Sequence, residues 1–512
     1  MFTLALKSFS IRQLKIFGES HTQTVFASIL MLAMPTVFAF DFNDVLQKAQ
    51  KLAQQPFDDG HEKVPEALRK LEFAKWAMIS PVPEKALWAK ENLPFRVEFF
   101  HPGMQFSQPV SVSVIDGDQV VPIHFSKDYF DYGQSGVRDL VPDDIGFAGF
   151  RLKTPLHQPN QPDEVLSFIG ASYFRVLGKD QHYGLSARGV AINTGMPPKP
   201  EEFPYFKSFW LEKPKPDTKS MKIYALLNGE SLTGAYAFQF TPGKDALMLV
   251  KAVLLPRKPI EKLGLAPLTS MFVHGENMPV ARAKVTAEVH DSDGILIHHS
   301  SGEWLWRPLM NPKALLINRF TDKNLLGFGL LQRDRNPEHY QDAHYEYHKR
   351  PSLWIEPQGS WGNGSVELVH IPSDSDFNDN IVAYWVPEEK PVPGKPIQIA
   401  YKQRWFLDDA SLPPTGQIRA TTVHKTAKRT EMLIDFARGN LDQVSENALE
   451  ASVQVGQGAK VLARRLDKIA DFWRLTLFIE KESQDPVEMR AYLKHKGKMD
   501  AVTETFSYVL AD

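Results

Sequence analysis

The chain has 512 residues, 43% of them apolar and 23% charged, with a formal net charge of −2. That length holds about two or three domains, and without a basic block a nucleic-acid partner has no electrostatic footprint. Cysteine is absent, which excludes disulfides, thiolate metal sites and a catalytic thiol.

The N-terminus carries Lys7, Arg12 and Lys15, then the apolar run Val25 to Met34, then Pro35 and Val37-Phe38-Ala39. A basic stretch, a short apolar stretch and small residues before a cut site spell a secretory signal over residues 1–39. A membrane anchor needs about 20 apolar residues, roughly twice this run. No second long apolar run follows, so no membrane span is expected in the mature chain. There is no twin-arginine pair, which points to the general export route.

A helix is predicted next, capped by Asp41 or Asn43, with Val45, Leu46, Ala49, Leu52 and Ala53 on one face. A second is predicted near Pro65, carrying Ala67, Leu68, Leu71 and Trp76. From Arg96 the period changes to two. Val110, Val112 and Val114 alternate, and Asp116-Gly117 supplies a hairpin turn. Strand-like runs recur at Lys222 to Leu227, Ala235 to Phe240, Ala246 to Leu255, Val285 to His290 and Ile381 to Trp385. Strands without amphipathic helices between them indicate a sandwich rather than a parallel α/β sheet.

Val386 to Pro396 holds four prolines and reads as a stiff linker, because proline lacks the amide donor of a strand ladder. Beyond it, Thr430 to Phe436, Ala451 to Val455, Leu475 to Ile479 and Thr503 to Leu510 fit one immunoglobulin-like sandwich. The expectation is an all-β chain: a signal over 1–39, a large N-terminal β-sandwich over 40–385, a linker over 386–396 and a smaller C-terminal sandwich over 397–512.

Two acidic turns stand out. One is His290-Asp291-Ser292-Asp293-Gly294; the other is Asp374-Ser375-Asp376-Phe377-Asn378-Asp379-Asn380, just before an apolar strand. Carboxylates on two loops suit glycoside hydrolysis, where one protonates the leaving oxygen and the other activates water or attacks the sugar. The same residue types are ordinary turn formers. Calcium is a weaker reading: the Gly expected after Asn378 is missing, and Trp385 stands where a bidentate Glu belongs. His298-His299 lacks the spacing of a zinc site. No metal and no cofactor are expected. Rings cluster nearby: Trp304 and Trp306 alternate, Tyr345 and Tyr347 alternate, and Trp354 and Trp361 follow, with Arg307, Arg333 and Arg350 interspersed. Flat rings and charged groups suit sugars, and they equally suit a core.

Several long, irregular motifs resemble one family. They are Gly146-FAGFRL-Lys153, Phe168-IGASYFRVLG-Lys179, Tyr183-GLSARGVAINT-Gly195, Glu202-FPYFKSFWLEKP-Lys215, Leu263-GLAPLTSMF-Val273, Gly302-EWLWRPL-Met310 and Asn378-DNIVAYW-Val386. The chain resembles the OpgG/OpgD family of osmoregulated periplasmic glucan proteins, nearer its OpgG members. The resemblance implies a periplasmic protein with a long-clefted N-terminal β-sandwich and a C-terminal immunoglobulin-like one. It implies action on a β-1,2-linked glucan chain, as an inverting endo-β-1,2-glucanase. Asp379 would be the general acid and Asp291 the general base. Tyr347 would match a loop tyrosine, and Trp304, Trp306, Arg333 and Trp354 would contact substrate. The alternative is a non-catalytic glucan-binding factor assisting the inner-membrane glucan glucosyltransferase or β-1,6 branching.

Overall fold

A computed structural model describes residues 40–278, 286–426, 429–439 and 441–511. The signal over 1–39 and the start of the run Val285 to His290 lie outside the described residues; of that run Val289–His290 is strand. The expected all-β class is observed. Two large sheets, of ten and fourteen strands, face each other over the main core.

Alternation explains the layers. In Ala246–Pro256, the inward residues Ala246, Met248, Val250, Ala252 and Leu254 join the main core. Their neighbours Val253 and Leu255 are buried too, because the helix Phe42–Ala53 covers the outer face there with Val45 and Ala49. Asp41 caps that helix. Its carboxylate accepts the Asn43 amide at 2.7 Å, and the Asp44 carboxylate accepts the Asp41 amide at 2.8 Å. The second predicted helix forms as two single turns, Glu66–Arg69 and Phe73–Trp76. Ile381–Pro387 is buried on both faces: Ile381, Ala383 and Trp385 enter the main core, while Val382 and Tyr384 pack with Ala191 and Val369.

The proline-rich segment differs from a simple linker. The strand Ile381–Pro387 runs two residues into it, and Pro387 is tolerated at the strand end, where a missing donor costs little. The strand that follows, Ile397–Phe406, pairs with Ala246–Pro256 and Ser352–Pro357 in the fourteen-stranded sheet. The segment therefore joins the two sheets of the sandwich, and the chain leaves the sandwich only after Phe406.

The C-terminal strands form two layers. Gln417–Lys425, Arg429–Ala437, Phe472–Lys481 and Ala459–Ile469 make a four-stranded sheet. Leu449–Val455, Val487–His495 and Thr505–Leu510 extend the large sheet, where Leu305 and Trp306 pair in parallel with Thr505 and Phe506. Met432, Ile434, Trp473, Met489, Leu493 and Phe506 fill the core between them. Among the described residues, no helix is long and apolar enough to cross a membrane.

Candidate functional site

The strand Leu263–Ser270 of the ten-stranded sheet runs on into Met271 and Phe272, and both acidic turns hang from this point. The Asn380 side chain brackets Phe272: its Oδ1 accepts the Phe272 amide at 2.8 Å, and its Nδ2 donates to the Phe272 carbonyl at 2.9 Å. Asp379 is thereby fixed one residue away. On the other side, the Met271 carbonyl accepts the Asp291 amide at 2.8 Å. The Ser270 and Ser292 hydroxyls bond at 2.9 Å. Two turns 80-odd residues apart in the chain thus share a three-residue post.

The Asp379 charge acts on Asp291. Asp291 is buried, and burial pushes its carboxyl up to about 6. Arg350 and Arg175 pull it down, while the Asp379 charge pushes it up. Arg350 Nη1 donates to Asp291 Oδ1. Asp379 is half-buried, and desolvation raises its carboxyl against the opposing pull of Arg175, Thr269, Arg350 and Arg188. Arg350 and Arg175 therefore act on both aspartates.

Both further arginines come from strands of the ten-stranded sheet. Arg175 Nε donates to Ser186 Oγ at 2.7 Å. Arg188 pairs with Glu201 at 2.8 Å and lies 5.0 Å from the ring centres of both Tyr173 and Phe203. The sequence pattern sets Arg350 among the charged groups near the acidic turns but does not single out Arg175, Arg188 or Tyr173. The available signal was a lone arginine inside each of two apolar runs, Phe168 to Lys179 and Tyr183 to Gly195.

Tyr347 is brought to the pair. It opens the single helical turn Tyr347–Lys349 and is buried beneath the Arg350 guanidinium, 4.2 Å above the ring centre. Burial raises its phenol, with Arg350 opposing and the charges of Asp376 and Asp291 adding to the rise. Gly184 permits this approach, since a Cβ there would stand 2.9 Å from Arg350 Cβ.

The other four expected contacts lie elsewhere. Trp306 and Trp354 belong to the core shared with the C-terminal strands. Trp304 packs against that core, stacked on His298 at 3.8 Å and on Trp354 at 5.7 Å. Arg333 lies 3.6 Å over the Trp306 ring and forks onto fully buried Glu504, at 2.5 and 2.9 Å. The reason is the strand period of two. Leu305 points into the main core, so Trp304 and Trp306 share the opposite face, which the C-terminal strands cover.

Behind His290 opens a cavity of about 530 Å³, lined among others by Glu276, Glu288, Asp293, Arg335, His339 and Thr421. Neither Asp291 nor Asp379 lines it. Burial pushes the Glu276 carboxyl up to about 8; the Thr421 amide opposes this, and Asp293, Glu288 and Asp334 add to it. Two sets of groups here could hold a cation: Glu288, Asp334 and His339, and Glu288, His290 and Asp293. Each set is already tied internally, His290 to Glu288 at 2.8 Å and His339 to Asp334 at 2.5 Å. Those bonds account for the closeness without an ion.

Residues 40–510 match the family model described as "Periplasmic glucan biosynthesis protein, MdoG". The chain is 41% identical over 500 residues to "Glucans biosynthesis protein G" of Pseudomonas paraeruginosa, covering 94% of this chain and 95% of that protein. It is 40% identical over 501 residues to the protein of that name from Dickeya dadantii, with the same coverage. The Sodalis glossinidius protein of that name is 40% identical over 499 residues, covering 94% of this chain and 95% of that protein. The chain belongs to the MdoG family of periplasmic glucan biosynthesis proteins.

Proposed function

We propose that this protein works in the periplasm on a β-1,2-linked glucan chain and cleaves it internally with inversion, Asp379 as general acid and Asp291 as general base. The observation that supports this best is the carboxyl pair itself: two aspartates from separate turns, held on one backbone post, each raised by burial, with the Asp379 charge acting on Asp291. Two carboxyls that interact cannot both ionise freely, so one holds its proton where the other gives it up. Inversion needs one of each. The acid protonates the leaving oxygen while the base draws a proton from water on the opposite face of the sugar, across a gap of about 6.5–9.5 Å.

The local surroundings suit these roles. Asp291 has its own arginine, and an adjacent guanidinium favours the ionised form that a base requires. Asp379 shares its cations with other acceptors: Arg188 is paired with Glu201 and Arg175 is bonded to Ser186. Tyr347 lies under the Arg350 guanidinium that bonds Asp291, which supports a part for it in moving a proton between water and Asp291. No step of this chemistry requires a cofactor.

The test is a reducing-end assay on linear β-1,2-glucan with wild type beside Asp379→Asn. Cleavage by wild type that disappears in the variant supports the reading, and early α-anomer in the product, read by proton NMR, supports inversion. One observation favours a second reading, a glucan-holding factor that assists the membrane glucosyltransferase or branching. The buried Arg350 contact occupies Asp291 Oδ1, as in a purely structural ion pair. Unchanged reducing ends at high protein concentration, with glucan binding intact, would favour that reading.

A further inference from the structure

His290 and Gln332 form a unit that the proposed chemistry leaves unused. His290 is fully buried beside Asp291. Its ring stacks on Phe272 at 5.4 Å and meets Tyr340 edge-on at 5.2 Å. Both ring nitrogens are engaged: Nε2 with Glu288 Oε2 at 2.8 Å, and Nδ1 with Gln332 Oε1 at 3.0 Å. An imidazole that meets two acceptors needs both protons, so the doubly protonated form fits this site. Burial pulls the ring down, but Asp293, Glu288 and Gln332 outweigh it and bring it to about 9.

Gln332 closes the unit. It is 1% exposed and caps the strand Gly327–Leu331. Its Nε2 lies 3.1 Å from the His290 carbonyl, 2.9 Å from the Tyr340 hydroxyl and 3.2 Å from the Tyr347 carbonyl. One amide therefore touches both the residue before Asp291 and the backbone of Tyr347. The stretch from Arg333 to Arg350 is otherwise loop and single helical turns, with no strand ladder to fix it.

We propose that Gln332, with His290 as its buried anchor, is a positioning residue that holds the Tyr347–Arg350 loop in register with the Asp291 turn. The inference rests on the hydrolase reading for its catalytic consequence but not for its structural one. A positioned group displaced by about 1 Å can cost up to about 100-fold in rate.

The test uses the full mature chain. Gln332→Met keeps the length and removes the amide; Gln332→Glu keeps the shape and an acceptor for His290 but removes the donors. The first readout is amide hydrogen exchange by mass spectrometry. Both variants should exchange at least about tenfold faster over residues 340–350, with the strands Ala246–Pro256 and Phe472–Lys481 unchanged. The second is steady-state cleavage of β-1,2-glucan, where kcat should fall about 10–100-fold and KM should move less than about threefold. Unchanged exchange over 340–350 overturns the proposal, and so does a loosened loop with full kcat. If wild type itself fails to cleave glucan, the hydrolase reading falls and the exchange result still decides whether Gln332 holds the loop. If Gln332→Met does not fold, Gln332→Glu carries the same test.

Discussion

Removing the Arg350 guanidinium should move the pH at which the base titrates. The side chains of the Arg350–Asp291 pair are 14% and 5% exposed, so solvent screens it little. Asp291 stands at about 6, with Arg350 as the strongest force holding it down. A cation within about 4–6 Å lowers a carboxyl by about one to three pH units, so Arg350→Met should raise Asp291 by that amount. The sign follows from the role. A base works ionised, so activity is present above its pKa and lost as pH falls through it. Wild type should lose kcat/KM below about pH 6; the variant should lose it already in the neutral range. Stability gives an independent reading. Asp291 is raised above its unfolded value, so folding favours its protonated form and stability declines as pH rises through the folded pKa. In the variant that decline extends further, adding about 1.5–4 kcal/mol of destabilisation near pH 9 and almost none at pH 4. Urea unfolding at both pH values measures it. A uniform rate loss at every pH, with equal destabilisation at pH 4 and pH 9, would refute the charge argument and leave Arg350 a packing role.

Other outcomes follow from the same contacts. Asp379→Asn should reduce glucan cleavage by about 100- to 10,000-fold, the usual worth of a positioned acid, while calorimetry shows glucan affinity within about threefold of wild type. Arg333→Ala should act on stability and not on glucan, because it strands fully buried Glu504; urea unfolding should report a loss of about 3–5 kcal/mol. Glu276 is raised to about 8, so its protonated form is favoured by folding and the stability it contributes is lost as pH rises towards that value. Glu276→Gln should therefore raise Tm at pH 8.5 and leave it nearly unchanged at pH 4, as read by calorimetry.

The period-two runs and turn residues made the β class legible, and Asp116-Gly117 does turn Ser111–Asp116 into Gln119–Ile123. Both acidic turns were legible because Asp, Ser, Asn and Gly crowd them. What escaped is what alternation cannot say: which face of a strand another layer will cover. Trp304 and Trp306 read equally well as sugar platforms and as core, and only the packing of the C-terminal strands on that face puts Trp306 in a core with Trp304 against it. The proline-rich segment misled in a related way. Its composition disfavours a ladder, and only its first two residues join one, but it does not reveal that the next strand returns to the fourteen-stranded sheet. Arg175 and Arg188 stand out in the sequence only as lone charges in apolar runs, and a single charge in an apolar strand acquires meaning only from what stands across the sheet.

The same contacts divide the site into a rigid part and an adjustable one. Asp379 and Asp291 are tied to consecutive residues: Asn380 to the Phe272 backbone, Asp291 to the Met271 carbonyl. Their separation is therefore set by hydrogen bonds to the Met271 and Phe272 backbone, one made by the Asp291 amide and two by the Asn380 side chain, at the end of a strand whose residues are all buried, Leu263–Ser270. Such bonds are expensive to leave unmade, so the spacing resists change. Tyr347 and Arg350 arrive on a loop with one backbone tie, the His182 amide to the Lys349 carbonyl at 3.1 Å, and several side-chain ones: Gln332 to the Tyr347 carbonyl, Arg335 to the His348 and Arg350 carbonyls, and Arg350 to Asp291. Side-chain contacts can be lost one at a time. On the proposed hydrolase reading, both aspartates can therefore stay in place while the cleavage rate follows how firmly residues 332–350 are held.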